Sequence, residues 1–290
     1  MSMKETGLEE SQGLQAMSDG LGVHWRRWTP RSDRKGTLCM VHGLGEHSGR
    51  YGNVAEQFAQ AGYATRAFDL RGFGMSQGRR GHMPFARALQ DLDEVMARER
   101  GADGGGPLFL YGHSLGGLLV LLYALTHRPA LAGVVATGPA LHTVVREQPA
   151  KVLAARILGS VLPNVTLPSG LDDTKLNRDP AVLAAYRADP LVHDRMSLGF
   201  ARDSLLAMDR VLNDAGQFPL PLLLVHGGAD QINLVSGSQA LASRHPGDCT
   251  LRIYDGVFHA VEHEPERAQI IGDIVNWLDA RLGARLDSPT

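Results

Sequence analysis

Residues 107–125 set a strand-length apolar run, a glycine-flanked serine and a helix-length apolar run in immediate succession. The order is Leu108-Phe109-Leu110-Tyr111, then Gly112-His113-Ser114-Leu115-Gly116-Gly117, then Leu118 to Leu125. Few folds accept such a segment. Its length approaches that of a membrane span, but Gly112, Gly116 and Gly117 punctuate its middle, and a buried strand turning into a buried helix accounts for it better. A strand apolar at consecutive positions is covered on both faces, the mark of a parallel sheet between helix layers. The turn fits the pattern Gly-x-Ser-x-Gly. It is too tight for side chains on either side of the serine, and it lifts the hydroxyl above the C-terminal edge of the sheet.

The rest of the chain supplies the sheet that this segment needs. Leu14 to Ser18 and Val23 to Thr29 flank Asp19-Gly20 and read as a hairpin. Thr37 to Val41, Ala64 to Phe68 and Gly133 to Thr137 read as buried strands. Between them, Tyr51, Val54, Ala55, Phe58 and Ala59 repeat at helical spacing, with Gly62 placed to end that helix, and Leu89, Leu92, Val95 and Met96 mark another helix. Alternating strands and helices imply right-handed crossovers and a mostly parallel sheet flanked by helices. From Leu141 to Gln217 the rhythm breaks into helical pieces without a convincing strand. Val152, Leu153, Ile157, Val161 and Leu162 form one apolar face there, and Leu205, Leu206, Met208 and Val211 suggest another. Sheet logic resumes at Leu220 to Val225 and Leu251 to Tyr254, and a last helix carries Ile270, Ile271, Ile274, Trp277 and Leu278. The expectation is an α/β core over 1–140 and 218–290, with a helical cap over 141–217 inserted after the sixth strand, since long excursions inside α/β domains are usually functional.

Composition narrows the partners. The 290 residues are 43% hydrophobic, enough for a sizeable core. Lys and Arg number 29 against 31 Asp and Glu, a net charge of −2, and no basic tract stands out, so nucleic acid is excluded as a partner. Cys39 and Cys249 are too few for a disulfide scaffold, which favours a reducing compartment. The first twenty residues are polar and acidic without the apolar stretch of a secretion signal, so a cytoplasmic location is expected.

A serine hydroxyl is a poor nucleophile until a base takes its proton. In this kind of turn the partners follow in the order serine, acid, histidine. Asp230 lies just past a strand, in Val225-His226-Gly227-Gly228-Ala229-Asp230. His259 lies past the final strand, whereas His245 ends a helix and His263 sits one turn further on. Ser114, Asp230 and His259 are therefore the candidate catalytic residues. The developing oxyanion needs two donors: the N–H of Leu115, after the nucleophile, and that of Leu44, in His42-Gly43-Leu44-Gly45. Two rival readings are weaker. Gly43, Gly45 and Gly49 with Asp69 approach a dinucleotide fingerprint but are spaced one residue too long. His259-Ala260-Val261-Glu262-His263 fits a zinc-peptidase pattern, but Asp255-Gly256 upstream points to a loop rather than to the helix such a site needs. No metal and no organic cofactor is expected.

Several stretches together resemble the monoacylglycerol lipases of the α/β-hydrolase fold, a lysophospholipase-like family. They are Val41-His42-Gly43-Leu44-Gly45-Glu46-His47-Ser48-Gly49-Arg50-Tyr51, Asp69-Leu70-Arg71-Gly72-Phe73-Gly74-Met75-Ser76 and the Ser114 turn. Val161-Leu162-Pro163-Asn164 and Tyr186-Arg187-Ala188-Asp189-Pro190-Leu191 extend the likeness into the excursion, so that it runs from about Asp19 to Leu282. The resemblance implies a serine hydrolase with the triad and oxyanion donors named above, the cap over 141–217, and Tyr186 or Arg50 near the alcohol end of the substrate. The implied substrate is a small-molecule acyl ester with one fatty chain, monoacylglycerol first. A general carboxylesterase, a lysophospholipase, a peptidase and a hydrolase-like ligand receptor are the alternatives. Ile157 and Leu162 are expected either to line the acyl path or to pack on the sheet, and the cap to touch membrane or micelle transiently.

Overall fold

The structure, a computed structural model, describes residues 8–31, 33–102 and 106–283. In chain order its elements are β1 (Leu8–Ala16), β2 (Gly22–Pro30), β3 (Gly36–Val41), α1 (Gly52–Gln60), β4 (Tyr63–Phe68), α2 (Phe85–Ala102), β5 (Leu108–His113), α3 (Leu115–His127) and β6 (Gly133–Thr137). The excursion carries α4 (Pro149–Val161), β7 (Thr166–Pro168), α5 (Pro180–Ala188), β8 (Arg195–Ser197) and α6 (Leu198–Asn213). β9 (Leu222–Gly227), α7 (Val235–Ala242), β10 (Cys249–Tyr254) and α8 (Arg267–Asp279) complete the chain.

One eight-stranded sheet runs in the order β1-β2-β4-β3-β5-β6-β9-β10. The β1–β2 hairpin joins β4 antiparallel, and every pair from β4 to β10 is parallel. Side chains alternate between its faces, as a pleated strand requires. Cys39, Val41, Leu108, Leu110, Val134, Ala136, Leu222 and Leu224 pack with α2, α3 and α6. Leu38, Met40, Phe109, Tyr111, Val135, Leu223 and Val225 pack with α1 and α8 on the other side. This explains the unbroken apolar runs: β3, β5, β6 and β9 are buried at every residue. No helix among the described residues is long and apolar enough to cross a membrane.

The strands depart from the sequence reading at two places. β1 begins at Leu8 rather than Leu14, because it is an edge strand with mostly exposed side chains and pairs only with β2; backbone hydrogen bonds hold it, so no apolar alternation announces it. The excursion also contains the two-stranded antiparallel ribbon β7–β8, three residues on each side, too short for a periodic signal.

The elbow itself generates a prediction. A Cβ on Gly116 would stand 2.1 Å from the Val41 carbonyl oxygen, whereas one on Gly52 would meet nothing within 4 Å. Gly116→Ala is expected to cost ~3 kcal/mol or more, because backbone of a buried strand must shift. Gly52→Ala, at an ordinary helical φ of −52°, is expected to be neutral or to stabilise by ~0.4–1 kcal/mol. Urea unfolding midpoints of the two variants check the contrast.

Candidate active site

Ser114 stands between the end of β5 and the start of α3 with φ 53° and ψ −113°. Such a conformation costs a non-glycine residue ~1–3 kcal/mol and persists only where its surroundings over-determine it. The surroundings do so here. The Ser114 N–H donates to the Thr137 carbonyl at 2.9 Å, and the Ser114 carbonyl accepts from Leu118 at 3.0 Å and Ala140 at 3.0 Å. A Cβ on Gly112 would lie 2.3 Å from the Gly116 carbonyl oxygen, so both flanking glycines are required.

The structure brings the three residues expected at the site together. His259 Nε2 lies 2.9 Å from Ser114 Oγ, and His259 Nδ1 lies 2.7 Å from Asp230 Oδ2. A carboxylate can only accept, so Nδ1 carries the proton and Nε2 faces the hydroxyl as acceptor. The other Asp230 oxygen accepts the N–H groups of Ile232 at 2.8 Å and Asn233 at 3.0 Å. Burial alone would raise the pKa of Asp230. The charge of His259 and hydrogen bonds from His226 and His259 overcome that and hold the carboxyl well below the usual range.

Residues not singled out in the sequence complete the arrangement. Asn233 Nδ2 donates to the Gly138 carbonyl at 2.7 Å and approaches Ser114 Oγ at 3.4 Å. Buried His226 lies 2.8 Å from the Asn233 carbonyl through Nε2 and 2.8 Å from Ser238 Oγ through Nδ1. Beneath the serine, His113 Nδ1 lies 3.0 Å from Thr137 Oγ1 and 3.3 Å from Glu262 Oε1, with its ring centroid 4.9 Å from that of His259. Glu262 also accepts the hydroxyls of Tyr111 and Thr137. Burial works to lower the His113 pKa, but the charge and hydrogen bond of Glu262 push it up to about 9. The nearest sequence signal was the His-x-x-Glu-His run that also matches a zinc pattern. That run falls on a loop and one 3₁₀ turn, Val261–His263, with His259 turned to Ser114 and His263 against the Tyr51 ring.

Ser114 and His259 open into a cavity of about 450 Å³. Leu44 and Leu115 both line it, and Leu115 is the first residue of α3, where a helix leaves its N–H groups without intrahelical partners. The walls are mainly apolar, with Val144, Leu183, Met196, Leu205 and Met208 among them. Glu46, Arg50, Tyr186, Asn177 and His263 contribute polar groups. Glu46 accepts from the Gly43 N–H and the Tyr51 hydroxyl, each at 2.7 Å, and pairs with Arg50 Nε at 3.2 Å. Burial opposes its ionisation, but the charges of His113 and Arg50 bring its pKa down to about 2. The Arg50 guanidinium stacks 4.8 Å from the Tyr186 ring centroid.

Tyr186 and Arg50 thus line the cavity, but Ile157 and Leu162 do not. They are 53% and 47% exposed, so they neither line the acyl path nor pack on the sheet. Helix α4 instead turns its small residues inward: Ala155 packs on the core and Gly159 is buried, where a Cβ would meet the Leu198 carbonyl oxygen at 2.5 Å. Asp69, the acid a dinucleotide reading requires, is fully buried. Its oxygens accept the Ser48 N–H and Met75 N–H, each at 2.8 Å, which leaves no carboxylate facing outward to hold a ribose.

The hydrolase family described as serine aminopeptidase, S33, matches residues 32–266. An uncharacterized abhydrolase domain-containing protein of Dictyostelium discoideum is 37% identical over 280 residues, 94% of this chain but 29% of that longer protein. The monoacylglycerol lipase of Mycolicibacterium smegmatis is 34% identical over 272 residues, 91% of this chain and 95% of its own length. Among solved structures, the monoacylglycerol lipase of Paleococcus ferrophilus superposes with a TM-score of 0.80 at 33% identity, over 94% of this chain and 99% of that one.

The buried pair under the serine carries a pH prediction. The folded pKa of His113, about 9, lies above the ordinary histidine value of ~6.5. Its contribution to stability is therefore complete below about 6.5 and is lost as the pH rises through about 9. The wild type is expected to lose on the order of 1–3 kcal/mol from this source between pH 6.5 and 10. Glu262→Gln should flatten that loss, since His113 then titrates closer to its ordinary value. Denaturation midpoints across that range, for both proteins, measure it.

Proposed function

The chain belongs to the family of hydrolases described as serine aminopeptidase, S33, and we propose that it is a serine ester hydrolase cleaving monoacylglycerols to fatty acid and glycerol. The observation that carries this reading is the joining of the Ser114–His259–Asp230 relay to a cavity that is apolar over most of its wall and charge-balanced at its polar groups. An apolar wall can sheath one acyl chain at roughly 0.8 kcal/mol per buried CH₂. Among the polar groups, Glu46 is already paired with Arg50, while burial pushes His263 down and Tyr186 up to about 12, toward their neutral forms. Such a lining suits uncharged hydroxyls.

In this reading Ser114 Oγ attacks the acyl carbonyl as His259 Nε2 takes its proton. Asp230 holds the Nδ1–H and stabilises the imidazolium. The N–H groups of Leu44 and Leu115 receive the oxyanion. His259 then returns the proton to the departing alcohol oxygen, and a water activated by the same base frees the acid. Nucleophile, base, orienting acid and oxyanion donors all come from the chain, so the chemistry calls for no cofactor. Residues 141–217 act as the cap, since Val144, Val145, Leu183, Met196 and Leu205 wall the cavity above the serine. The outer face of α4, with Leu153, Ile157, Val161 and Leu162 exposed, meets the lipid aggregate that holds the substrate.

Ser114→Ala is expected to lower kcat on the order of 10⁴–10⁶ while the melting temperature holds, and a fluorophosphonate should label the wild type at Ser114 alone. Near-normal turnover by the variant would sink the mechanism. For the cap surface, Ile157→Asp with Val161→Asp should reduce hydrolysis of long-chain monoacylglycerol in vesicles. Hydrolysis of a dissolved short-chain ester should stay unchanged, as should the melt. Equal rates on vesicles would refute contact through α4.

A further inference from the structure

Asn177 lies in the excursion between the turn at Asp173–Lys175 and helix α5, and its side chain is almost wholly buried, at 2% exposure. Its Oδ1 accepts the Asp179 N–H at 2.7 Å. That bond fixes the amide's orientation, because only the oxygen can accept from a backbone N–H. The opposite end, Nδ2, is buried without a hydrogen-bond partner, and Asn177 lines the cavity that holds Ser114. Leaving a buried donor unpaired normally costs more than the net gain from pairing it. A second nitrogen on the same cavity, His263 Nε2, is likewise buried and unpartnered, and burial lowers the His263 pKa, favouring the neutral ring.

The backbone around Asn177 is clamped to the segment that carries the base. The Leu176 carbonyl accepts the Ala260 N–H at 2.8 Å, directly after His259. On the other side, the Arg178 N–H donates to Glu264 Oε1 at 2.8 Å, and the Arg178 guanidinium pairs with the same carboxylate. The amide is therefore held in register with the segment of the residue that hands a proton to the leaving alcohol.

We propose that Asn177 is a specificity residue for the alcohol half of the ester: its Nδ2 donates a hydrogen bond to a free hydroxyl of a polyol leaving group, with His263 Nε2 available to a second hydroxyl. The proposal rests on the monoacylglycerol reading and deepens it. A hydroxyl can donate or accept, so either tautomer of a neutral His263 can pair with it. A site built to pair a substrate hydroxyl discriminates sharply against an analogue that lacks it, because the site's own donor is then left buried and unpaired. The structure thus favours glyceryl esters over esters of simple alkanols with the same acyl chain.

The test compares kcat/KM for 1-dodecanoylglycerol and methyl dodecanoate, which share an acyl chain and differ only in the leaving alcohol. Wild type is measured beside Asn177→Asp, which keeps the acceptor for Asp179 but replaces the amide donor, and Asn177→Ala. Both variants are expected to lower the glyceryl-to-methyl ratio about 10-fold to 100-fold, while kcat/KM for the methyl ester stays within about threefold. A wild-type preference for the glyceryl ester that survives in both variants overturns the role of Asn177 alone. An equal loss on both esters, with a lowered melting temperature, assigns Asn177 to structure and also overturns it. A wild type that hydrolyses the methyl ester without preferring the glyceryl ester overturns the monoacylglycerol reading and this proposal together.

Discussion

The turn at Ser114 is the constraint around which the other loops are arranged. Gly116 packs so closely on the end of β3 that a methyl group would collide with the Val41 and His42 carbonyls. The loop leaving β3, which carries Leu44, is therefore fixed by the same contact that permits the elbow. The Ser114 N–H is held by Thr137 at the end of β6, and Asn233, beyond β9, reaches Gly138 just after it. The C-terminal ends of β3, β5, β6 and β9 thus meet at one serine, and the loop after β10 delivers His259 onto it. In an open parallel sheet these ends face the same way, which is why chemistry collects there.

Holding that edge takes buried charge, arranged so that little of it is isolated. Asp230, Glu262, Glu46 and Asp69 are all buried, and in each the neighbouring cations and hydrogen bonds outweigh desolvation and hold the pKa low. Their partners differ. Asp69 binds the Ser48 and Met75 N–H groups, Glu46 the Gly43 N–H and Arg50, Glu262 the elbow's own His113, and Asp230 the loop that follows it. Glu46, Asp69 and Asp230 each fasten a loop by taking its backbone N–H groups, while Glu262 gathers the Tyr111, Thr137 and His113 side chains beneath the elbow. Buried ion pairs are doubtful sources of net stability, but breaking one is costly. Here they fix geometry, the property that transition-state stabilisation depends on.

What the sequence made legible follows from how local each signal is. The sheet strands declared themselves because two-sided burial leaves unbroken apolar runs, and Ser114 because its turn requires glycine two residues before and two residues after it. Asp230 and His259 were placed by chain order and by their positions just past strands. Edge strand β1 and ribbon β7–β8 escaped notice because backbone pairing, not an apolar stripe, defines them. Glu262 and Asn233 were illegible for another reason: each matters through a partner far along the chain, as with Glu262 and His113 or Asn233 and Gly138. Nothing in the run around Glu262 distinguishes an acid beneath the elbow from a zinc-site pattern, and only the three-dimensional path of the loop does so.

Helix α4 shows where periodicity misleads. An amphipathic helix normally buries its large apolar side chains, so the stripe at Val152, Leu153, Ile157, Val161 and Leu162 read as one face, lining the acyl path or packed on the sheet. Of that stripe only Val152 packs inward; the other four residues are exposed. Val152, Ala155 and Gly159 face inward, and the small residues let α4 approach α6 closely, while Val161 stands 71% exposed. Arg156 on α4 and Arg146 in the turn before it both reach Asp209 on α6, at 2.7 and 2.6 Å. The Arg156 pair is exposed and the Arg146 pair only part-buried, and near-surface pairs are worth ~0–1 kcal/mol each, so close packing of small residues contributes more than charge to holding the helix. In water, turning large apolar side chains outward forgoes roughly 25 cal/mol for every Å² left uncovered. A sequence that gives up that stabilisation along one face of one helix, beside a cavity that is itself mainly apolar, leaves there an exposed apolar patch of the kind that marks an interaction surface rather than a packing face.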